Sequence, residues 1–182
     1  METESLHGGK KTSVTADIYY QAADGKMITH YIVPSGQFMI TNDKGELQVY
    51  NRNDNTLFRV RDEQYGTRNT LLYHFLSGAY QDMGLRGMGF SRTSTRFEHG
   101  LVISFWNPPA NLQGVLQGIE LVHEAGLPVY AAYYNVDKRL IRKVYYTEYQ
   151  YFDLLALPMS VIEFNYLPGG DSLVSRINIK DV

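Results

Sequence analysis

Residues 14–61 read VTADIYYQAADGKMITHYIVPSGQFMITNDKGELQVYNRNDNTLFRVR, and this stretch decides the fold. Val14, Ala16, Ile18 and Tyr20 alternate with Thr15 and Asp17. A period of two places the first set on one face of a β-strand. The turn formers Ala23-Asp24-Gly25-Lys26, Pro34-Ser35-Gly36, Asn42-Asp43-Lys44-Gly45 and Asn53-Asp54-Asn55 then divide the stretch. They leave strands at 14–20, 27–33, 37–41, 46–51 and 56–61. Strands joined by such tight turns form a meander, so neighbours pair antiparallel.

The pattern breaks at Tyr65-Gly66. From Thr67 the apolar spacing turns helical: Leu71, Leu72, Phe75, Leu76 and Ala79 share one face. Thr67 is placed to cap this helix, and the glycines at 78, 84 and 87 stop it near Tyr80. Gly84-Leu85-Arg86-Gly87-Met88-Gly89 then reads as a mobile connector. Strands resume at 89–98, 101–106, 115–123, 129–135, 140–147, 159–166 and 172–179, with Pro168-Gly169-Gly170-Asp171 as a hairpin turn. Upstream, residues 1–13 are polar and Gly-bearing, and read as a flexible N-terminal segment before one domain over 14–182. So many sequential strands curl into a barrel, a half-barrel or a sandwich.

Composition narrows the function classes. The chain has 182 residues, a net charge of −2 and no basic run that would draw in nucleic acid. It has no cysteine, which removes disulfides, thiol nucleophiles and cysteine metal sites. Its 15 Tyr against 8 Phe suit half-buried strand surfaces, where the ring packs and the hydroxyl stays wet. His7, His30, His74, His99 and His123 include no pair at a helical metal-site spacing. There is no G-x-S-x-G elbow, and the Gly84–Gly89 run fits neither a P-loop nor a dinucleotide fingerprint. No catalytic residue, metal or cofactor is expected.

A sheet of this size needs its concave face covered, and one helix cannot fill it. Leu71, Leu72, Phe75 and Leu76 could then sit over a cavity lined by Ile18, Ile32, Phe38, Val49, Phe90, Ile103 and Phe105. Larger barrels bind apolar ligands in such a space. A fully packed core is the other outcome of the same pattern.

Several segments resemble a known family. Ile40-Thr41-Asn42-Asp43-Lys44-Gly45-Glu46-Leu47-Gln48-Val49-Tyr50-Asn51 resembles the "I-S-D-G-K-x-L-W-x-Y-D" hairpin of the outer-membrane lipoprotein carriers, the LolA-like family. Asn55–Val60 stands where that family has its next strand. Asp137–Tyr146 is similar to the "D-x-x-x-x-L-I-x-K-V-E-Y" strand, Leu157–Glu163 to "L-P-T-x-I-E", and Ser175–Val182 to the closing strand. The resemblance implies an incomplete antiparallel β-barrel, or half-barrel, with a helix over the concave face. It further implies a non-enzymatic periplasmic carrier or sensor, with its signal peptide removed, that binds lipid or lipoprotein acyl chains in a Gram-negative envelope. An envelope membrane protein is a further implied partner. Oligomeric state does not follow from it. Two departures stand out: the family's long leading helix has no counterpart in residues 1–13, and the strand Tyr31–Phe38 lacks the lid-latching Arg of the carriers. Binding of lipid, or of some other apolar envelope component, is therefore the expectation, and whether the carriers' energy-driven handover operates does not follow from it. The alternative is a protein-interaction or glycan-binding domain presenting Tyr130, Tyr133, Tyr134, Tyr145, Tyr146, Tyr149 and Tyr151, although these do not share one strand parity.

Overall fold

The computed structural model describes residues 1–153 and 155–182, with every side chain among them except that of Asn69. Its strands are β1 (Glu2–His7), β2 (Lys10–Gln21), β3 (Lys26–Val33), β4 (Gln37–Thr41), β5 (Glu46–Asn51) and β6 (Thr56–Arg61). After the helix α1 (Leu71–Leu76) follow β7 (Ser91–Glu98), β8 (Leu101–Asn107), β9 (Leu116–Glu124) and β10 (Leu127–Asn135). The chain ends with β11 (Leu140–Phe152), β12 (Leu155–Tyr166) and β13 (Ser172–Asn178).

All thirteen strands form one antiparallel sheet in the order β6-β5-β4-β3-β2-β1-β13-β12-β11-β10-β9-β8-β7. β6 and β7 lie at opposite edges, so the sheet does not close and is an open half-barrel. It consists of two meanders, β1–β6 and β7–β13, joined along β1 and β13. Residues 62–90 must therefore cross from one edge to the other, and α1 rides on that crossing over the concave face.

The first strand corrects the reading of residues 1–13 as a flexible lead-in. Glu2 to Leu6 pair with Asn178 to Val174 on one side, and Glu2 to His7 pair with Thr15 to Lys10 on the other. Gly8 and Gly9, at φ 54° and 75°, turn the chain between His7 and Lys10. Two residues with positive φ are what a tight hairpin demands, because that turn's twist matches the strands.

The helix is shorter than its periodicity predicts. Thr70, not Thr67, caps it, accepting from the Tyr73 N–H at 3.4 Å. Gly78 at φ 69° ends it. Thr67 lies in a preceding 3₁₀ turn, where its buried hydroxyl donates to the Gly25 carbonyl at 2.8 Å and its N–H to the Asn42 carbonyl. Arg68 pairs with Asp43 at 2.8 Å. The start of the crossing is thus tied to the tips of the β2–β3 and β4–β5 hairpins.

The Gly-rich segment after α1 is a plug, not a loose connector. Asp82 accepts from the Gly84 N–H at 3.0 Å, and the Phe90 N–H donates to the Leu85 carbonyl. Met83, Leu85 and Phe90 are buried with Phe75, Trp106, Ile119, Leu121, Val144, Tyr146, Leu157 and Val161 in the main core. Gly84 is required here: a Cβ would lie 2.2 Å from the His74 ring.

Burial holds the His74 imidazole below its ordinary pKa, with Asp82 opposing, and holds His123 down as well, against the carbonyls of Tyr80 and Gln81. A histidine depressed in the folded state takes up its proton more readily when unfolded. Its contribution to stability is complete above the unfolded value of 6.5 and is lost as pH falls from there through the lowered folded value. Thermal melting at pH 7.5 and pH 5 should therefore give the lower Tm at pH 5, and His123→Gln should flatten that slope. A Tm independent of pH over this window would contradict the burial of both rings.

Candidate functional site

Cross-strand partners point to the same face of a sheet. Ile18 pairs with Thr29, Thr29 with Met39, Met39 with Val49, and Val49 with Phe58. One row of concave-facing side chains thus runs from β2 to β6. On the other side of the seam, Val14 pairs with Thr3, Thr3 with Ile177, Ile177 with Val161, and Val161 with Tyr146.

The two ends of this surface are covered differently. Over β8 to β12, α1 and the plug fill it. Phe75 is 1% exposed and meets Tyr80, Tyr146 and Tyr149, with ring centroids 6.0, 5.6 and 6.2 Å away. Glu148 at φ 59° breaks the strand alternation, so Tyr146 and Tyr149 can both turn toward Phe75. Over β1 to β4 no side chain among the described residues fills it. A cavity of about 400 Å³ remains, walled by Ile18, Met27, Thr29, Tyr31 and Met39 from one meander and Pro158, Val161, Ile177 and Ile179 from the other. Thr3 and Val14 line it at the seam, and Leu71, Leu72 and Phe75 roof it. A second lobe of about 500 Å³ lies beyond Leu72, sharing Met1, Ile18, Leu72 and Ile179 with the first and reaching Leu76, Leu155 and Leu157.

The expected cavity residues divide accordingly. Ile18, Leu71, Leu72 and Phe75 line the cavity, and Leu76 lines the second lobe. Val49 lies on the same face one strand beyond Met39. Phe90 is in the filled core. Ile32, Phe38, Ile103 and Phe105 face the other way. Phe38 stacks on His30 at 4.3 Å, across from Thr29 and Met39 in the alternation. Ile103 and Phe105 alternate with the concave-facing Ser104 and Trp106. The residues that hydrophobicity did not pick out include Met27, Thr29, Tyr31, Met39, Val161 and Ile177; parity counted from Ile18 through each turn would have found the first four.

The tyrosines separate too. Tyr133, Tyr146 and Tyr149 turn to the core side, where burial raises the pKa of each hydroxyl. Tyr130 and Tyr145 lie on the convex side, 5.1 Å apart, with Phe164 6.1 Å from Tyr145. Desolvation and neighbouring Tyr134 push Tyr130 to about 12. They do not form one stripe. Among the described residues, no three His, Asp or Glu side chains gather into a metal-binding set.

No protein-family model matches the chain, and no curated protein is similar to it in sequence. Solved structures are similar in shape. A DUF1329 family protein from Desulfovibrio piger superposes with a TM-score of 0.64 at 12% identity, over 100% of this chain and 84% of that one. A putative outer membrane lipoprotein-sorting protein domain from Vibrio parahaemolyticus gives 0.63 at 13% identity, over 99% and 81%. A LolA superfamily protein from Nitrosomonas europaea gives 0.59 at 11% identity, over 100% and 84%. At such identities the likeness is one of fold: this chain has the half-barrel shared by LolA superfamily and lipoprotein-sorting domain structures.

Proposed function

We propose that this protein is a non-enzymatic carrier or sensor that takes acyl chains of lipids or lipoproteins into the cavity beneath α1, working in the periplasm. The observation that carries this reading is the half-filled concave face. The same sheet packs its β8–β12 end to closure and leaves an aliphatic space under Leu72 and Phe75. The volume lies in the range of small-molecule sites. An acyl chain entering it gains about 0.8 kcal/mol for each CH₂ removed from water. The shared half-barrel of a lipoprotein-sorting domain supports the same ligand class. Such a protein needs no cofactor, and its expected partners are the acylated cargo and an envelope membrane protein that gives or receives it.

Leu72 stands between the two lobes, which makes it the test. Delipidated protein, mixed with a C8 to C20 series of fatty acids and lysolipids and read by native mass spectrometry, should retain one chain per protein. Leu72→Trp fills the space with an indole and should cut retention of C16 by about tenfold or more, while C8 is affected less. The reading fails if the wild-type protein retains no amphiphile, or if Leu72→Trp retains all lengths equally well.

A further inference from the structure

One pleat beyond the cavity the concave face changes character. Following β12 from Val161 leads to Glu163 and Asn165, following β13 from Ile177 leads to Ser175, and following β1 from Thr3 leads to Ser5. Two residues along a strand cover roughly 7 Å, which puts Glu163, Ser175 and Ser5 within reach of a group attached to a buried chain; Asn165 and its cross-strand partner Arg142 lie one pleat further out, roughly 13 Å along the strands. These side chains are already joined. Glu163 Oε2 accepts from Arg142 Nη2 at 2.9 Å, and its Oε1 accepts from Asn165 Nδ2 at 2.6 Å. The hydroxyls of Ser5 and Ser175 are 2.9 Å apart. Arg142 lies over the Tyr133 ring at 5.1 Å, and its Nε is buried without an acceptor. Its donors are not all spent. The Arg142 and Glu163 side chains stay 41% and 25% exposed, so the pair is open to a ligand.

We infer that Arg142, Glu163, Asn165, Ser5 and Ser175 form the head-group subsite of the cavity, selecting an uncharged ester head with free hydroxyls over a carboxylate; this rests on the acyl-chain reading above. The Arg142 charge is neutralised in place by Glu163. A second carboxylate would meet Glu163 at close range and gain little from an arginine already engaged. A carbonyl oxygen can accept from Arg142, and a hydroxyl can donate to Glu163. Monoacylglycerol chemistry supplies both; a fatty acid supplies neither without its charge.

The experiment compares monolaurin with laurate, which share one chain length, by displacement of a fluorescent fatty acid from the full chain at pH 8. Wild type should favour monolaurin by about tenfold. Glu163→Gln frees the guanidinium charge and should raise laurate affinity by about tenfold while lowering that for monolaurin. Asn165→Asp, one pleat further from the cavity, adds a negative charge and should weaken laurate further, which keeps the inference testable if Glu163→Gln does not fold. Equal binding of the two amphiphiles by wild type, unchanged in the variants, overturns the subsite and leaves the acyl-chain reading standing. Binding of neither amphiphile overturns both.

Discussion

Phe75→Ala is expected to lower the unfolding free energy by about 3–5 kcal/mol. The side chain is 1% exposed and sits where three structures meet: α1, the tyrosines of β11, and the roof of the cavity. A helix of six residues has almost no stability of its own, because nucleation costs more than so few hydrogen bonds return. What holds α1 down is burial, and Phe75 supplies its largest buried side chain. Truncation removes the contacts with Tyr80, Tyr146 and Tyr149 and opens a void continuous with the cavity, so the lid should loosen as well as the fold. Urea unfolding measures the first effect, and hydrogen exchange of residues 70–78 the second. A loss under 1 kcal/mol with unchanged exchange would mean the lid is held elsewhere.

Gly45→Ala should be comparably damaging, for a backbone reason. Gly45 adopts φ 76°, and a Cβ there would lie 2.4 Å from the Asp62 carbonyl oxygen and 2.7 Å from its carbon. Side chains can swing aside; this obstacle is main chain. The Asp62 N–H also donates to the Gly45 carbonyl at 2.9 Å, which fixes the point where the crossing leaves β6. The left-handed conformation alone costs an alanine about 1 kcal/mol, and displacing the crossing brings the total above roughly 3 kcal/mol. For a domain of this size that is a fall in Tm of about 6–12 °C. Gly114→Ala is the control, since a Cβ there meets nothing within 4 Å and no positive φ is involved. Equal melting of the two variants would refute the argument.

The β2–β6 meander was legible because each of its turns is written in Gly, Asn, Asp or Pro, and β3 to β6 fall within a residue of their expected bounds; β2 starts at Lys10, four residues before the alternation from Val14 that marks it. β1 was missed because Glu2-Thr3-Glu4-Ser5 has no apolar alternation. Its Thr and Ser face a mixed surface, and the Gly8-Gly9 pair was the signal present for its hairpin. The helix was overextended because Ala79 and Tyr80 continue the apolar period after Gly78 has ended the hydrogen bonding. The cavity residues were half legible. Those on α1 follow from one helical face, and Ile18 from clean alternation in β2. In β3 both faces carry apolar residues, Met27 and Tyr31 against Ile28 and Ile32, so hydrophobicity cannot choose the side. Only pairing through the turns fixes it. That Met39 lines the cavity while Phe38 stacks on His30 outside it is a fact of register, which no single strand encodes.

The order of the strands also bears on how the molecule comes to exist. Eleven of the twelve strand neighbours are sequence neighbours, joined through turns. The exception is β1 with β13, where Glu4 meets Arg176. Pairing across so long a stretch of chain carries the largest closure entropy in the fold, and non-local pairings of this kind set the pace of folding. The walls of the cavity come from both sides of that join. Each meander is built from local hairpins, yet neither walls the cavity by itself. The cavity exists only where the most distant parts of the chain meet, so an amphiphile bound there would act as a clasp on the most non-local pairing in the sheet.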